Sequence, residues 1–277
     1  MAQTALVTGT SSGFGLLTAV SLARAGMQVV ASMRDLARRG DLDRAAAAAG
    51  VALEVVALDV TRPETIAAAL ARTGPVDVLV NNAGIGIVGS VENTALDELR
   101  EVFETNFFGA VGVINAVLPG MRERGRGRII NVSSVTGRIA MPATSAYSAA
   151  KHALEGFSDA LRHEGRSFGI EVSLIEPGFF PTAMVRAQRQ VRRSGGPYAA
   201  IERVFLDLLA ETSEKNSADP QRVADAIVHA ATARSPRPRY VVGSDANAIF
   251  TLRSLLPARA FEALVRSKTK PKPPRPS

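Results

Sequence analysis

The sequence contains no cysteine. Disulfides, thiol catalysis and thiolate metal sites are therefore excluded, and a reducing compartment, the cytoplasm, is expected. Histidine is scarce too: His152, His163 and His229 share no ligand spacing, so no metal site is expected. No apolar run approaches the ~18 residues of a membrane span. The first strand pattern begins within ten residues of Met1, which leaves no room for a cleavable leader. Acidic residues stop at Glu262, and beyond it Arg266, Lys268, Lys270, Lys272 and Arg275 supply five of the net +7 charges. The basicity is thus a tail rather than a face of the fold. Residues 267–277, rich in proline and lysine, read as a disordered solvating end. Contact with an anionic membrane surface is the alternative use; no aromatic residue is interleaved, so nucleic acid is not expected.

With 277 residues, 46% of them hydrophobic, the chain can bury one sizeable core. Strand patterns centred on Val7, Val29, Val55, Val78, Ile130, Ser173 and Val241 alternate with helical ones. That alternation predicts a single α/β domain over residues 1–266, a parallel sheet of about seven strands with helices on both faces. Residues 246–266 read as two short amphipathic helices broken at Pro257, packing on the domain or on another subunit.

The first strand, Thr4–Thr8, runs into Gly9-Thr10-Ser11-Ser12-Gly13-Phe14-Gly15 and then a helix pattern from Leu16 to Ala25. This strand–turn–helix context is what a dinucleotide site of the doubly wound Rossmann type requires. Gly9 permits the tight turn. Gly13 and Gly15 let backbone approach a pyrophosphate, whose charge faces free N–H groups and the helix dipole. The alternative is an ordinary glycine-rich turn. After the second strand comes Arg34, where an acid would bond the ribose 2′-hydroxyl of NAD; a guanidinium suits a 2′-phosphate, which argues for NADP(H) over NAD(H). Its alternative is a solvated arginine in a run with Arg38 and Arg39. Asp59, Asn82 and Ser134 fall at further strand ends, where open parallel sheets bind ligands.

Tyr147 and Lys151 are four residues apart and share one helix face, and Ser134 lies 13 residues before the tyrosine. A free phenol titrates near 10. A neighbouring ammonium favours the phenolate, so the pair is expected to carry a lowered tyrosine pKa and to exchange protons near neutral pH. Glu155 and Glu164 read as helix-face charges.

Taken together, Thr8-Gly9-x-x-x-Gly13-x-Gly15, Asp59-Val60, Asn81-Asn82-Ala83-Gly84, Asn106, Ser134, Tyr147-x-x-x-Lys151 and Pro177-Gly178-x-x-x-Thr182 resemble the short-chain dehydrogenase/reductase family over about residues 4 to 243. The run Ala31–Leu36 and the Thr10-Ser11-Ser12 turn look like hydroxysteroid and retinol dehydrogenases. The resemblance implies a carbonyl–alcohol oxidoreductase. Tyr147 would exchange the proton, and Ser134 would orient the substrate oxygen; the 13-residue spacing selects it over Ser133. Lys151 would bond the nicotinamide ribose, and Asn106, in a helix over Leu96–Leu118, would hold a water linking the lysine to solvent. Asp59 and Val60 would contact adenine, Asn82-Ala83-Gly84 would lie along the adjacent ribose, and Pro177, Gly178 and Thr182 would meet the carboxamide end. Ser12 stands where many NADP-using relatives have arginine, so Arg34, helped by Ser11 or Ser12, would carry the phosphate, with Asp35 opposing. Phe179, Phe180 and Met184, with Ser134 and Tyr147, are expected to line an apolar substrate pocket beneath a lid at 179–217, hinged at Gly195-Gly196-Pro197. The resemblance also implies a homodimer or homotetramer through the Leu96–Leu118 and Ala146–Phe168 helices. A catalytically silent cofactor-binding regulator is the competing reading, as is another nicotinamide chemistry on the same site.

Overall fold

The computed structural model describes residues 2–182, 188–215 and 218–269. β1 (Thr4–Thr8), α1 (Gly13–Arg24), β2 (Gln28–Met33), α2 (Gly40–Ala49), β3 (Glu54–Ala57), α3 (Pro63–Thr73) and β4 (Val78–Asn81) alternate from the start. A short β5 (Ile87–Val88) leads to α4 (Leu96–Phe103), a π-turn at Glu104–Phe108 and α5 (Gly109–Glu123). Then come β6 (Gly127–Val132), α6 (Ser145–Arg166), β7 (Ile170–Pro177), β8 (Arg189–Gln190), α7 (Ala199–Lys215), α8 (Gln221–Thr232), β9 (Arg239–Val242), α9 (Ser244–Leu255) and α10 (Ala258–Thr269).

Seven strands pair in parallel in the order β3-β2-β1-β4-β6-β7-β9, and every predicted strand centre lies in one of them. The order reverses at β1, which makes the carboxyl edge between β1 and β4 a switch point where a crevice opens. The strands are apolar on both faces because both faces are covered. Ala5 and Val7 of β1 point into a core with Leu22 of α1 and Ile227 of α8. Leu6, between them, points the other way, into a core with Ile66 of α3, Val113 and Val117 of α5, and Leu161 of α6.

Three boundaries differ from the sequence reading. The helix expected over Leu96–Leu118 is interrupted by the π-turn and continues to Glu123. Within Leu96–Glu123 an 18-residue window reaches a mean hydropathy of 1.3, long and apolar enough by composition to cross a membrane, contrary to the absence expected above; here Val113, Ile114, Val117 and Met121 are buried in the domain core. Third, the C-terminal helices start at Ser244 and run to Thr269, so residues 267–269 of the expected tail are helical; 270–277 lie outside the described residues. Ala246 and Phe261 bury these helices on the domain. The two-stranded parallel sheet of β5 and β8 was not foreseen, since each strand is two residues long.

Leu79 is fully buried at the centre of β4. Leu79→Ala is expected to cost about 2–5 kcal/mol, read as a lower urea midpoint with an unchanged slope.

Candidate active site

The glycine turn is fixed by close backbone approach. Gly9 has φ 71° and its Cα faces Ala83: a Cβ there would lie 2.8 Å from Ala83 Cα. A Cβ on Gly15 would collide with Gly9 O and with Asn82 Nδ2. Asn82 Nδ2 donates to Thr8 O at 2.9 Å and Gly9 O at 3.0 Å, bracing the turn against β4. Thr8 completes the brace: its buried Oγ1 accepts from the Asn82 and Ala83 amides, both at 3.0 Å. Thr8 stands in the sequence motif, but its hydroxyl's part emerges only when β4 is alongside.

Beside the turn runs a cleft of about 560 Å³ lined by Gly9, Ser11, Ser12, Gly13, Phe14, Arg34, Asp59, Val60, Asn82, Ala83, Gly84 and Thr182. Twelve expected cofactor residues are thus brought together; Gly15 lies under the turn rather than on the cleft. Asp35 is turned to accept from the Ala37 amide at 2.9 Å, capping the short 3-10 turn Leu36–Arg38. Arg38 lines the cleft as well, a residue that the sequence reading left as surface. Among the described residues neither Arg34 nor Arg38 has a carboxylate partner, whereas Arg39 pairs with Asp43 at 2.7 Å. Two unneutralised guanidiniums at the end of β2 suit a phosphate ester. At the opposite rim Arg189 of β8 pairs with Glu101 at 2.5 Å.

The cleft continues into a narrow inner cavity of about 90 Å³. Ser134, Tyr147, Lys151, Pro177, Gly178, Phe179, Phe180 and Thr182 line it, with Val135, Thr144, Phe205 and Leu209. Met184, also expected there, lies outside the described residues. Ser134 ends the β6 segment and caps a 3-10 turn at Val135–Gly137, its Oγ accepting from the Thr136 amide at 3.1 Å and from Thr136 Oγ1 at 3.0 Å. It lines the cavity beside Tyr147; Ser133 lines the cavity too, but its buried hydroxyl lies under the turn toward Glu155. Lys151 Nζ donates to Val132 O at 2.8 Å, fixing α6 to the end of β6.

The lowered phenol expected from the Tyr-x-x-x-Lys pair is not what these protein groups produce. Burial pushes Tyr147 up to about 12, and the Ser134 hydrogen bond offsets part of that. Lys151 contributes nothing that counters this burial, although its ammonium stands 5.7 Å from the ring centroid. Burial also pulls Lys151 down to about 8, opposed by the charge of Glu155. Asn106 sits in the π-turn, buried and on neither cavity; its Oδ1 accepts from Ile85 N and its Nδ2 donates to Ile85 O, both at 2.8 Å. A π-turn re-aims one residue of a helix, and such turns recur at functional sites. Glu155 is buried, not a solvated helix-face charge.

Two further residues escaped the sequence reading. Asp245, opening α9, accepts from the Phe179 amide at 2.7 Å and packs against Gly178, so it holds the Pro177–Phe179 turn. Glu202 of α7 accepts from Ser90 N (2.9 Å), Asn93 Nδ2 (2.8 Å) and Gly195 N (3.0 Å), which ties the segment over the cavity to the β5–α4 loop. Neither lies in a local motif; only the fold brings their partners near. Residues 183–187 and 216–217 of the expected lid lie outside the described residues.

A model of the short chain dehydrogenase family matches residues 3–193. The chain is 40% identical over 265 residues to retinol dehydrogenase 8 of Homo sapiens, covering 91% of this chain and 85% of that protein. A solved metagenomic short-chain oxidoreductase in complex with NADP superposes with a TM-score of 0.68 at 30% identity, covering 87% of this chain and 96% of the other. A short chain dehydrogenase/reductase from Burkholderia phymatum in complex with NAD gives 0.79 at 25% identity, covering 100% and 98%.

Gly15→Ala is expected to displace the turn that Gly9 and Asn82 hold. Dinucleotide affinity should fall by at least about tenfold, or about 1.4 kcal/mol, in a fluorescence titration with NADPH.

Proposed function

The chain belongs to the short-chain dehydrogenase family, and we propose that it uses NADP(H) in preference to NAD(H) to interconvert a carbonyl and an alcohol on an apolar substrate of steroid, retinoid or similar type. The observation that carries this reading is the convergence of Ser134, Tyr147 and Lys151 where the dinucleotide-sized cleft meets a cavity walled by Val135, Phe179, Phe205 and Leu209. The residues present fit the cofactor: a glycine turn with no room for Cβ atoms, and two uncommitted arginines beyond β2. When bound, the nicotinamide supplies or takes up the hydride.

The protein groups do the rest. Arg34 and Arg38, which line the cleft, would hold the 2′-phosphate. Lys151, anchored on Val132 O and lining the inner cavity, keeps further N–H donors that would hold the nicotinamide ribose. Ser134 and Tyr147, half-buried side by side on the inner cavity, would hydrogen-bond the substrate oxygen from one side. At neutral pH a phenol near 12 keeps its proton. Tyr147 is therefore ready as donor to a carbonyl oxygen, and alcohol oxidation must first remove that proton. Phe179, Phe205 and Leu209 select apolar substrates by burying their carbon skeleton. A homodimer or homotetramer and a cytoplasmic location belong to the same proposal. The former is supported by Phe108, half exposed beside Phe103 and Phe107; the latter by the cysteine-free composition.

The test is NADPH and NADH oxidation at 340 nm against apolar ketones and aldehydes. Arg34→Glu is expected to raise the NADPH KM at least tenfold and leave that for NADH nearly unchanged; equal KM values for both cofactors in the parent would overturn the preference. Tyr147→Phe is expected to lower kcat by about 10²–10⁴-fold, the usual share of general acid catalysis, with cofactor Kd retained. Reduction should show a plateau at neutral pH and an alkaline limb near 8, where buried Lys151 loses its charge.

A further inference from the structure

Beneath the Ser133–Ser134 turn lies a second set of buried ionisable groups that proton transfer to the substrate does not touch. Glu155 is one helical turn beyond Lys151 on α6, on the same face, and both side chains are buried. Its carboxyl packs under the 3-10 turn that Ser134 caps: a Cβ on Gly137 would lie 3.1 Å from Glu155 Cγ and 3.3 Å from Glu155 Oε1. The Ser133 hydroxyl lies under the same turn, and both it and Glu155 Oε1 are buried without a hydrogen-bond partner. From β9, Arg239 Nη2 donates to Glu155 Oε2 at 3.1 Å and to Asp159 Oδ2 of α6 at 2.7 Å, while its Nε lies 3.0 Å from Glu176 Oε1 of β7. Glu176 has no exposed surface; Arg138, after the 3-10 turn, reaches its Oε2 at 3.2 Å.

The charged groups facing Glu155 are thus Lys151 and Asp159 from its own helix, Glu176 from β7, Arg239 from β9, and Arg138 through Glu176. Arg239 is shared among three carboxyls, and among the described residues Arg138 meets no carboxyl but that of Glu176. A buried carboxylate needs a cation of its own. The remaining buried cation is Lys151, whose positive form Glu155 favours.

We propose that Glu155 is a positioning residue for the reaction: held by Arg239 beneath the serine turn, its carboxylate keeps the Lys151 ammonium charged and so extends activity to higher pH. The proposal rests on the oxidoreductase reading above. Glu155 never touches the substrate; it acts through Lys151 and through the turn that carries Ser134. Burial first, and then Glu176, push the Glu155 carboxyl up to about 7, against the pull of Ser133 and Arg239.

The test is the pH profile of carbonyl reduction by Glu155→Gln, which keeps size and hydrogen-bonding capacity but not charge. The alkaline limb is expected to move down by about one pH unit, the effect of removing one nearby opposite charge. The rate at pH 6.5 should stay within about twofold of the parent, since Lys151 is protonated there with or without its neighbour. Glu176→Gln disturbs the same arginine but leaves the Glu155 charge, so its limb should not move down; this variant also carries the test if Glu155→Gln does not fold. The second readout is the melting temperature against pH. With a folded value near 7 above the ordinary 4.5, Glu155 contributes stability that is full below 4.5 and lost as pH rises through 7, a slope that Glu155→Gln should lack. A Glu155→Gln limb coincident with the parent, or an equal downward shift in both variants, overturns the proposal. A parent inactive on every carbonyl overturns the oxidoreductase reading instead.

Discussion

Parallel register between β1, β4 and β6 is the constraint on which the site depends. Val7 pairs with Val80, and Asn81 with Asn131, so the strands end level with one another. The chain leaving each strand therefore enters the same crevice: the glycine turn after β1, the Asn82–Gly84 run after β4, and the Ser133–Ser134 turn after β6. A one-residue slip would exchange the two faces of any of these strands and separate the three turns. The level ends are pinned by buried side-chain amides. Asn81 donates to Asn131 at 2.9 Å, and Asn131 donates to Ser158 of α6 at 2.8 Å. Both polar atoms of the Asn131 side chain, which fixes the helix of Tyr147 to the sheet, are thus satisfied inside the protein, where leaving one unpaired costs about 1–3 kcal/mol.

Above this frame, the loops are held by single side chains that reach across long sequence separations. Asn106 clamps Ile85, Asp245 holds the Pro177–Phe179 turn, and Glu202 gathers Ser90, Asn93 and Gly195. Each contact supplies one or two backbone partners that a loop otherwise takes from water. Their sum is a site whose walls are set by tertiary hydrogen bonds, while its floor is set by the sheet.

Electrostatics at the site follow from burial more than from pairing. Tyr147 is pushed up, Lys151 down and Glu155 up, in each case because the charged form is taken out of water. The three groups stand on successive turns of one helix, and among them Glu155 favours the charged form of Lys151. Burial thus favours the neutral form of the phenol and weakens the charge of the ammonium beside it.

Glycine spacing, seven apolar strand patterns and the Ser, Tyr and Lys positions were legible in the sequence because they are local: a turn, a period of two, a helical i and i+4. From these alone the parallel α/β fold and twelve residues of the dinucleotide cleft were determined. The break at Glu104–Phe108, the β5–β8 pair, Asp245 and Glu202 were not, since each depends on a partner distant in the chain. Nor was the burial of Glu155, which along the helix resembles any solvated acid, or the phenol's raised pKa. Spacing tells which side chains share a face; only packing of α6 on β6, β7 and β9 decides which of those faces lose their water, and loss of water sets the charges.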